Sequence, residues 1–493
     1  MRSLRQFKFV YVNCIDRRLY VAYKTGTVLF GLLERNSFGL EGVASEYDRL
    51  SSINLRIALS LHHIGLLEME HQPVITLNDV NGNSTDVLVS HNVKSRIRAR
   101  SRALSNPNDY QELNVLNDPG NHPDEHYKAM SPIRFKVRSW LRKYVDNQSE
   151  TLYYWQSRWR CKFLDLYFSY TSLMGSHTFY VLFLPLPVYF GYFEFTRDMV
   201  YILGYSIYLS GFLKDYCCLP RPRSPPLHRI TLSAYTAKEY GAPSSHTANA
   251  TGVSLLFLIA LMQSTRYSGF SKAFLFAMVM FYYLTLVLGR IYCGMHGVLD
   301  LVSGTAVGVF CCIVRVATSW LLSEWDYGKE LWFPVLSVVW GLTILFKHIQ
   351  PIDECPCFED SVAFMGVVSG LEVSDWVIRH FFDDRSLIYA FTNEYTYGQL
   401  ASRLGFGVLL VVLWKYILSK PLVYSVFLKT ICRMPDDRQE KQHLKIELTA
   451  NSGEECIRYV GVAHIDIIGR FIIYAGIPIS VMLVSPLILK WSP

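Results

Sequence analysis

Apolar stretches of membrane-spanning length recur between residues 173 and 489, and they restrict the chain to a fold in which helices cross a bilayer. A span needs roughly 20 apolar residues. Because 51% of the 493 residues are hydrophobic, an ordinary soluble enzyme is excluded. We predict an all-α, polytopic membrane helix bundle of about 8–9 transmembrane helices. The candidate spans are residues 173–193, 198–214, 248–264, 273–290, 300–322, 331–347, 361–378, 404–419 and 467–489.

Some of these spans carry residues that modify the helix. Pro185 and Pro187 predict a kink in the first span, because proline removes a helical hydrogen bond. Gly304 and Gly308 form a small-xxx-small pair, which predicts close packing of the span after His296. The span at 361–378 is weakened by two acidic residues, and the one at 198–214 is short.

The chain is predicted to have three regions. Residues 1–150 are a polar, partly disordered extension, whose basic run at 94–102 is better explained as a solvated tail than as a contact with anionic lipid. Residues 151–322 form the core that carries the polar motifs, and residues 323–493 form a C-terminal accessory transmembrane region. A mixed aromatic and basic segment at 155–173 is predicted to lie in the headgroup layer. The net charge of +7 is small for this length, so no nucleic-acid partner is predicted.

The first polar cluster combines Lys214 at the end of one span with Arg221 six residues beyond it. Pro220 and Pro222 end the helix and extend the chain around Arg221. An ammonium and a guanidinium together suit a phosphate dianion better than a carboxylate. Either cation alone is more simply explained as a side chain that snorkels to the interface.

The second cluster is Gly241-Ala-Pro-Ser-Ser-His246, at the start of the next span. Pro243 and the pair Ser244 and Ser245 are signals for the start of a helix. The free N–H groups and positive dipole end of a helix can bind phosphate oxygens, and His246 projects from the same turn. Taken alone, this segment is an ordinary helix cap.

The third cluster contains Arg290, His296 and Asp300, and it joins the end of one span to the start of the next. His296 and Asp300 are four residues apart, so they lie on one face of a helix. A carboxylate behind an imidazole fixes its tautomer and leaves the other nitrogen free to attack or to exchange protons. A satisfied polar pair between helices is the alternative.

All three clusters lie at span ends, and two crossings separate the second from the third, so they fall on one side of the membrane. Unrelated structural features would not be expected to converge there. Three cations, two imidazoles and one carboxylate predict a site that binds and cleaves a phosphate ester at the membrane surface.

The three motifs, Lys-x6-Arg-Pro, Pro-Ser-x-His and Arg-x5-His-x3-Asp, resemble the signatures of the type 2 phosphatidic acid phosphatase superfamily. Within it, Gly289-Arg-Ile-Tyr-Cys-Gly-Met-His and Gly241-Ala-Pro-Ser-Ser-His-Thr are most similar to fungal dihydrosphingosine and sphingosine 1-phosphate phosphatases. The likeness covers residues 105–493, including the segments that begin at Asp118 and Asp360. Two positions depart from the superfamily pattern, with Ser245 where glycine is usual and Gly289 where serine is usual.

The resemblance implies the roles of the site residues. His296 is the nucleophile that forms a phosphohistidine, Asp300 orients it, and His246 exchanges protons with the leaving group and with water. The phosphate-binding residues implied are Lys214, Arg221, Ser244, Ser245 and Arg290.

No metal or other cofactor is predicted for the phosphoric monoester hydrolase that the resemblance implies. Prolines and a glycine break the spacing of the potential ligands in the segment 118–126, so a surface loop far from the clusters is the expectation. The 11 cysteines are scattered, so Cys355 and Cys357 are expected to have a structural role, unless their loop faces an oxidising compartment. The potential ligands in the segment are Asp118, His122, Asp124 and His126.

The resemblance narrows the substrate to sphingoid long-chain base 1-phosphates, held with the hydrocarbon chain in membrane lipid, in sphingolipid metabolism. A broad-specificity lipid phosphate phosphatase is the alternative within this enzyme class. A transporter or scramblase that binds lipid phosphate without cleaving it is the alternative from another class. A homo-oligomer is compatible with the sequence and is not specified by it.

The two indications of sidedness disagree. Basic residues before the first span, at 136–158, favour a cytosolic N-terminus and a cytosolic site. The resemblance implies a multi-pass protein of the endoplasmic reticulum membrane with a lumenal active site. The two agree only if the N-terminus is lumenal or the count of spans is off by one, for example through a further crossing near residues 155–172.

Overall fold

The computed structural model describes the strands within residues 8–34, and then residues 118–232, 236, 238–321, 330–382, 397–452 and 458–491. The chain divides into two compact units, Met1–Tyr110 and Gln111–Pro493. The basic run at 94–102 lies outside the described residues. The predicted boundaries at residues 150 and 322 stay predictions.

The first unit contains a three-stranded antiparallel sheet, made of β1 (Lys8–Cys14), β2 (Arg17–Lys24) and β3 (Thr27–Glu34) in that order. Valine, tyrosine and phenylalanine are frequent in these strands, and two residues separate each strand from the next, which is the pattern of consecutive hairpins. This sheet was not part of the predicted all-α fold.

The second unit is helical, and there the predicted all-α bundle is confirmed. Six short helices come first: α1 (Asp124–Tyr127), α2 (Pro132–Asp146), α3 (Ser149–Trp159), α4 (Lys162–Thr171), α5 (His177–Phe183) and α6 (Pro185–Tyr189). The longer helices that follow are α7 (Phe193–Cys217), α8 (Ser245–Gln263), α9 (Gly269–Tyr292), α10 (Val298–Leu321), α11 (Trp332–Phe346) and α12 (Cys357–Phe381).

The C-terminal part begins with α13 (Tyr397–Val412), which continues as π-helical turns at Leu413–Leu418 and Pro421–Ile431. It ends with α14 (Arg438–Ser452), α15 (His464–Ile479), π-helical turns at Ser480–Val484 and α16 (Ser485–Trp491).

Five helical stretches of the described residues are long and apolar enough to cross a membrane, and the count is six if a bent pair within residues 404–431 forms one span. The chain is therefore a multi-pass membrane protein. The predicted count of 8–9 spans is not confirmed. Helix α7 has 25 residues but carries several charged side chains, and α11 is 15 residues long.

The first predicted span, residues 173–193, is not one kinked helix. A short 3₁₀ turn, α5 and α6 divide it into three pieces, and Pro185 stands at the first position of α6. Proline lacks the N–H that a continuous helix needs, and Pro185 and Pro187 lie only two residues apart. The prolines therefore break this segment where the sequence predicted only a bend.

The core forms where α7 packs against α8 and α12, and where α12 packs against α15. Helices α8 and α10 approach closely, as the small-xxx-small pair predicted. A Cβ atom at Gly304 would lie 2.5 Å from the carbonyl oxygen of Ser244, and one at Gly308 would lie 2.3 Å from that of Ala248. This contact fixes the start of α8 against the start of α10, where two of the polar clusters lie.

Cys355 and Cys357 form a disulfide at the start of α12. Their sulfur atoms and a carboxylate oxygen of Asp215, at the end of α7, lie within 4.8 Å of one another. The pair is therefore oxidised beside the end of α7 that carries the first polar cluster, a state typical of proteins that face an oxidising compartment.

Candidate active site

The last turn of α7 carries Lys214, and the chain leaves the helix directly after it. Cys218 adopts a left-handed conformation with φ of 48°, which ends the helix, and its N–H donates to the carbonyl oxygen of Lys214. The flanking prolines then keep Arg221 outside any helix. Lys214 and Arg221 are only 1% and 3% exposed, so neither is a solvated, snorkelling side chain.

Three backbone carbonyls hold the Arg221 guanidinium. Nε donates to Glu239 at 2.8 Å, Nη1 to Met295 at 2.6 Å and Nη2 to Thr236 at 2.8 Å. Nη1 also lies 3.1 Å from Nε2 of His296. Burial, which the Glu239 carboxylate partly offsets, lowers the pKa of Arg221 to about 10, so the group is still charged at neutral pH.

The start of α8 connects the first cluster to the third. Ser244 is the N-cap, and its hydroxyl oxygen accepts from Thr247 N at 3.4 Å. Its backbone N–H donates to the carbonyl oxygen of Asp300 at 2.9 Å. Ser245, which replaces the usual glycine, has its hydroxyl oxygen 3.4 Å from Nζ of Lys214. The positive end of this helix therefore faces the same space as the cations.

His296 and Asp300 form a buried pair at the start of α10, with 2% and 0% exposure. His296 Nδ1 lies 3.2 Å from Oδ2 of Asp300, and that oxygen also accepts from Gly297 N at 2.9 Å. His296 precedes the helix, so the pair does not stack along one helical face as the spacing predicted. Asp300 instead reaches back from the first turn, as an acidic residue does at a helix start.

The surroundings of His296 keep its imidazole neutral. Burial lowers its pKa well below 6.5, and the positive charges of Arg221, Lys214, Arg290 and His246 act in the same direction. With the proton on Nδ1 facing Asp300, Nε2 carries the lone pair that a nucleophile needs. Arg221 lies directly at that nitrogen.

Arg290 and His246 complete the group that the sequence predicted. Arg290, in the last turn of α9, is 4% exposed, and its Nε has no hydrogen-bond partner among the described residues. His246 lies in the first turn of α8 and is half-buried. A Cβ atom at Gly175 would lie 2.2 Å from Cδ2 of His246, so the backbone of the turn before α5 lies close to the imidazole ring. A Cβ at Gly289 would lie 2.8 Å from Phe168, which explains the absence of the usual serine there.

Glu239 and Gln148 are at the site but were not among the residues predicted from the sequence. Glu239 is buried and forms an ion pair with Lys214, and its Oε2 lies 3.8 Å from Nη2 of Arg221. Gln148 accepts from Val298 N at 2.9 Å through Oε1, next to the His296 turn. The only sequence signal for Glu239 was that an acidic residue stands between the first and second polar clusters. No sequence signal marks Gln148.

The segment 118–126 was predicted to be a surface loop far from the clusters, and this prediction is wrong. Asp118 forms an ion pair with Arg229 at 2.7 Å, and Arg229 donates to the carbonyl oxygen of Pro222 at 3.2 Å. His122 and Asn121 are buried. The segment therefore packs beside the loop that carries Arg221, an arrangement that its sequence spacing does not reveal.

The histidines of this segment surround the buried carboxylate of Asp353. Burial alone would raise the pKa of Asp353, but the hydrogen bonds that it accepts lower it below the ordinary value of an aspartate. The carboxylate is thus ionised and its oxygens accept several hydrogen bonds. The histidines of this segment contribute to those contacts. The groups around it are His126 at 2.8 Å, Tyr127 at 2.8 Å, Gly120 N at 2.8 Å, Tyr240 at 3.1 Å and His122 at 3.8 Å.

Comparison with known proteins gives the same assignment as the motifs. The profile of the PAP2 superfamily matches residues 195–324, which include all three clusters. A dihydrosphingosine 1-phosphate phosphatase of Saccharomyces cerevisiae is 52% identical over 390 residues, which are 77% of this chain and 92% of that protein. One from Schizosaccharomyces pombe is 34% identical over 386 residues, which are 73% of this chain and 92% of that protein.

More distant similarity extends to animals. Human sphingosine-1-phosphate phosphatase 2 is 27% identical over 294 residues, which are 57% of this chain and 71% of that protein. No solved structure matches the chain. The identity over most of both yeast proteins shows that the chain belongs to the family of dihydrosphingosine 1-phosphate phosphatases within the PAP2 superfamily.

Proposed function

We propose that the protein hydrolyses the phosphate monoester of sphingoid long-chain base 1-phosphates, such as dihydrosphingosine and sphingosine 1-phosphate, through a phosphohistidine. The reaction yields the free long-chain base and inorganic phosphate. The substrates for which the related phosphatases are named support the substrate class, and the contacts around His296 support the route.

In the first step, Nε2 of His296 attacks phosphorus, and the bond between phosphorus and the ester oxygen breaks. His246 gives a proton to the departing alkoxide, so the long-chain base leaves with a neutral hydroxyl group in place of its phosphate. Asp300 stabilises the positive charge that develops on the His296 ring. Lys214, Arg221 and Arg290 neutralise the nonbridging oxygens, which is the main source of catalysis in phosphoryl transfer.

In the second step, His246 takes a proton from water, and the resulting hydroxide attacks the phosphorus bound to His296. The nitrogen–phosphorus bond breaks, inorganic phosphate forms, and His296 returns to its neutral state. The hydroxyl groups of Ser244 and Ser245 assist the three cations in both steps.

One contact carries this proposal more than any other. Nη1 of Arg221 lies 3.1 Å from Nε2 of His296, while Asp300 lies 3.2 Å from Nδ1 on the opposite side of the ring. A phosphate bound by Arg221 is therefore next to the one ring nitrogen that is free to attack. A binding protein or transporter has no need of an oriented, neutral imidazole at that point.

Helix α9 offers a path for the hydrocarbon chain. It is exposed along most of its length, with Phe281 60%, Leu284 45% and Leu288 46% exposed, and it ends at the buried Arg290. A chain that lies along α9 in the lipid would bring a headgroup to the cations without leaving the bilayer.

Release of inorganic phosphate by the purified protein tests the function. We expect phosphate release from dihydrosphingosine 1-phosphate to exceed that from phosphatidic acid, and to continue in EDTA. Equal turnover of both lipids would indicate a broad lipid phosphatase, and binding without phosphate release would indicate a transporter. Activity that is lost in EDTA and restored only by a divalent cation would overturn the histidine route.

We also propose that the site faces the lumen of the endoplasmic reticulum. The disulfide Cys355–Cys357, close to Asp215 at the end of α7, supports this side because cytosolic proteins rarely keep disulfides. The sequon Asn147-Gln-Ser lies on the same side, since Gln148 contacts Val298. We expect an endoglycosidase-sensitive mass shift that Asn147→Gln removes. Labelling of Asn147→Cys by a membrane-impermeant maleimide from the cytosol would contradict it.

A further inference from the structure

Glu239 places a carboxylate among the cations that bind the phosphate. Lys214 forms an ion pair with it, and Nη2 of Arg221 lies 3.8 Å from its Oε2. The backbone carbonyl oxygen of Glu239 also accepts from Nε of Arg221 at 2.8 Å. The main chain and the side chain of Glu239 are thus both fixed relative to Arg221, and the carboxylate stays beside the phosphate position.

This arrangement opposes simple phosphate binding. A carboxylate next to the phosphate position repels a dianion and reduces the charge that Lys214 and Arg221 can offer it. A site built only to attract phosphate would be stronger without it. The negative charge is useful if the substrate carries a positive charge close to its phosphate.

A sphingoid base 1-phosphate has such a charge. Its ammonium group stands on the carbon adjacent to the one that carries the phosphate, whereas phosphatidic acid and N-acylated sphingoid phosphates have no cation there. Both of the Glu239 side-chain contacts end on Oε2. A carboxylate has acceptor sites on two oxygens, so Oε1 can accept from an ammonium while Oε2 remains with Lys214.

We infer that Glu239 binds the substrate ammonium and is the residue that selects sphingoid base phosphates over lipid phosphates without a free amine. This inference rests on the proposed function. The phosphate is held by Lys214, Arg221 and Arg290, and the neighbouring amine is held by Glu239. Chain length plays no part in this selection, because the recognised charge lies in the headgroup.

The test compares two substrates that differ only in the amine, dihydrosphingosine 1-phosphate and its N-acetyl derivative, in wild type and Glu239→Gln. We expect Glu239→Gln to lower kcat/KM for the free amine by about 10- to 100-fold, the range for a lost hydrogen bond to a charged group. Turnover of the N-acetyl substrate should be unchanged or higher, so the preference of the enzyme collapses. Glu239→Asp should keep part of the preference, and Glu125→Gln, at an exposed position, should keep all of it.

Two other results would overturn the inference. If kcat/KM for both substrates rises by the same factor, the carboxylate only competes with phosphate, and the inhibition constant for inorganic phosphate should fall in parallel. If kcat/KM for both falls by the same factor while phosphate inhibition weakens, Glu239 only supports Lys214 and Arg221. Failure of the proposed function is a separate result, since wild type would then release phosphate from neither substrate.

Discussion

Helix α7 carries a buried charged cluster at each end, and the two clusters differ in how fully their charges are paired. The site cluster surrounds Lys214 near the C-terminus of the helix, and the second, here called the Arg197 cluster, consists of Arg197, Glu372, Asp375 and Arg379. Arg197 and Lys214 are about 25 Å apart along the helix. Each cluster therefore lies near one end of the bundle.

The charges of the Arg197 cluster are paired with one another. Arg197 binds Glu372 with two nitrogens and lies 3.4 Å from Asp375, which also accepts from Arg379 at 3.0 Å. Two guanidinium groups thus match two carboxylates. This pairing explains why α12 can be buried in the bundle although its predicted span contained two acids.

The charges of the site cluster are only partly paired. Glu239 is shared between Lys214 and Arg221, while Arg290 Nε and Asp300 Oδ1 have no hydrogen-bond partner among the described residues. Cations outnumber carboxylates, and a neutral imidazole stands among them. Paired charges indicate a structural role, and an unbalanced buried group indicates a ligand of opposite charge.

The largest effect expected is that of His296→Ala. Loss of the nucleophile should lower kcat by about 10⁴-fold or more, as for other covalent nucleophiles. His380→Ala, at an exposed position near the Arg197 cluster, is the matched control and should be close to wild type. Phosphate release by purified variants measures both. Near-normal turnover by His296→Ala would show that the site cluster differs from the Arg197 cluster in charge pairing but not in catalytic role.

Arg197→Met should act on stability and leave catalysis alone. Removing one partner of a buried ion pair costs about 3–5 kcal/mol of the free energy of unfolding, because the remaining carboxylates lose their cation. Denaturant titration in detergent measures this loss, and kcat/KM per folded molecule should stay unchanged. Arg197→Met with Glu372→Met should recover much of the stability. A drop in kcat/KM equal to that of the site variants would show that the two clusters are not separate.

Arg221→Lys should show the opposite pattern. It keeps the charge but loses the planar fork that contacts three carbonyls and His296, so kcat/KM should fall by about 10²–10³-fold. Arg379→Lys is the matched change in the Arg197 cluster and should leave kcat/KM within a few fold. An equal reduction of kcat/KM by both substitutions would show that catalysis does not depend on the guanidinium of Arg221 in particular.

The smallest effect concerns pH. The folded-state pKa of His296 lies below its unfolded value near 6.5, so the unfolded state binds more protons between these two values. His296 therefore costs stability as pH falls from about 6.5 towards the lowered pKa, by at most about 1.4 kcal/mol per pH unit. Unfolding of His296→Gln should lack this part of the pH dependence between pH 7.5 and 5.5. A pH dependence identical to that of wild type would mean that His296 is not buried in its neutral form.

The local part of the site could be predicted from the sequence. Proline around Arg221, serine before His246 and the interval from His296 to Asp300 are short-range signals, and they specify helix ends and neighbouring side chains directly. The placement of all three clusters on one side followed from counting crossings. Contacts such as Arg221 with His296 and Ser244 with Asp300 require that shared side, and the tertiary structure brings the atoms together.

Other features needed the tertiary structure. Glu239 and Gln148 reach the site from segments without any motif, and His126 meets Asp353 across 227 positions of sequence. The Arg197 cluster is equally long-range, since α7 and α12 supply opposite charges to one buried contact.

The sequence by itself determined that the chain is a helical membrane protein, where the helices of the site begin and end, and which residues are predicted to supply its chemistry. These properties depend on hydrophobicity, backbone geometry and neighbouring residues along the chain. The tertiary structure alone decided which charges are neutralised by partners and which remain to meet a ligand. Charge pairing acts through space between distant segments, and no interval along the chain encodes it.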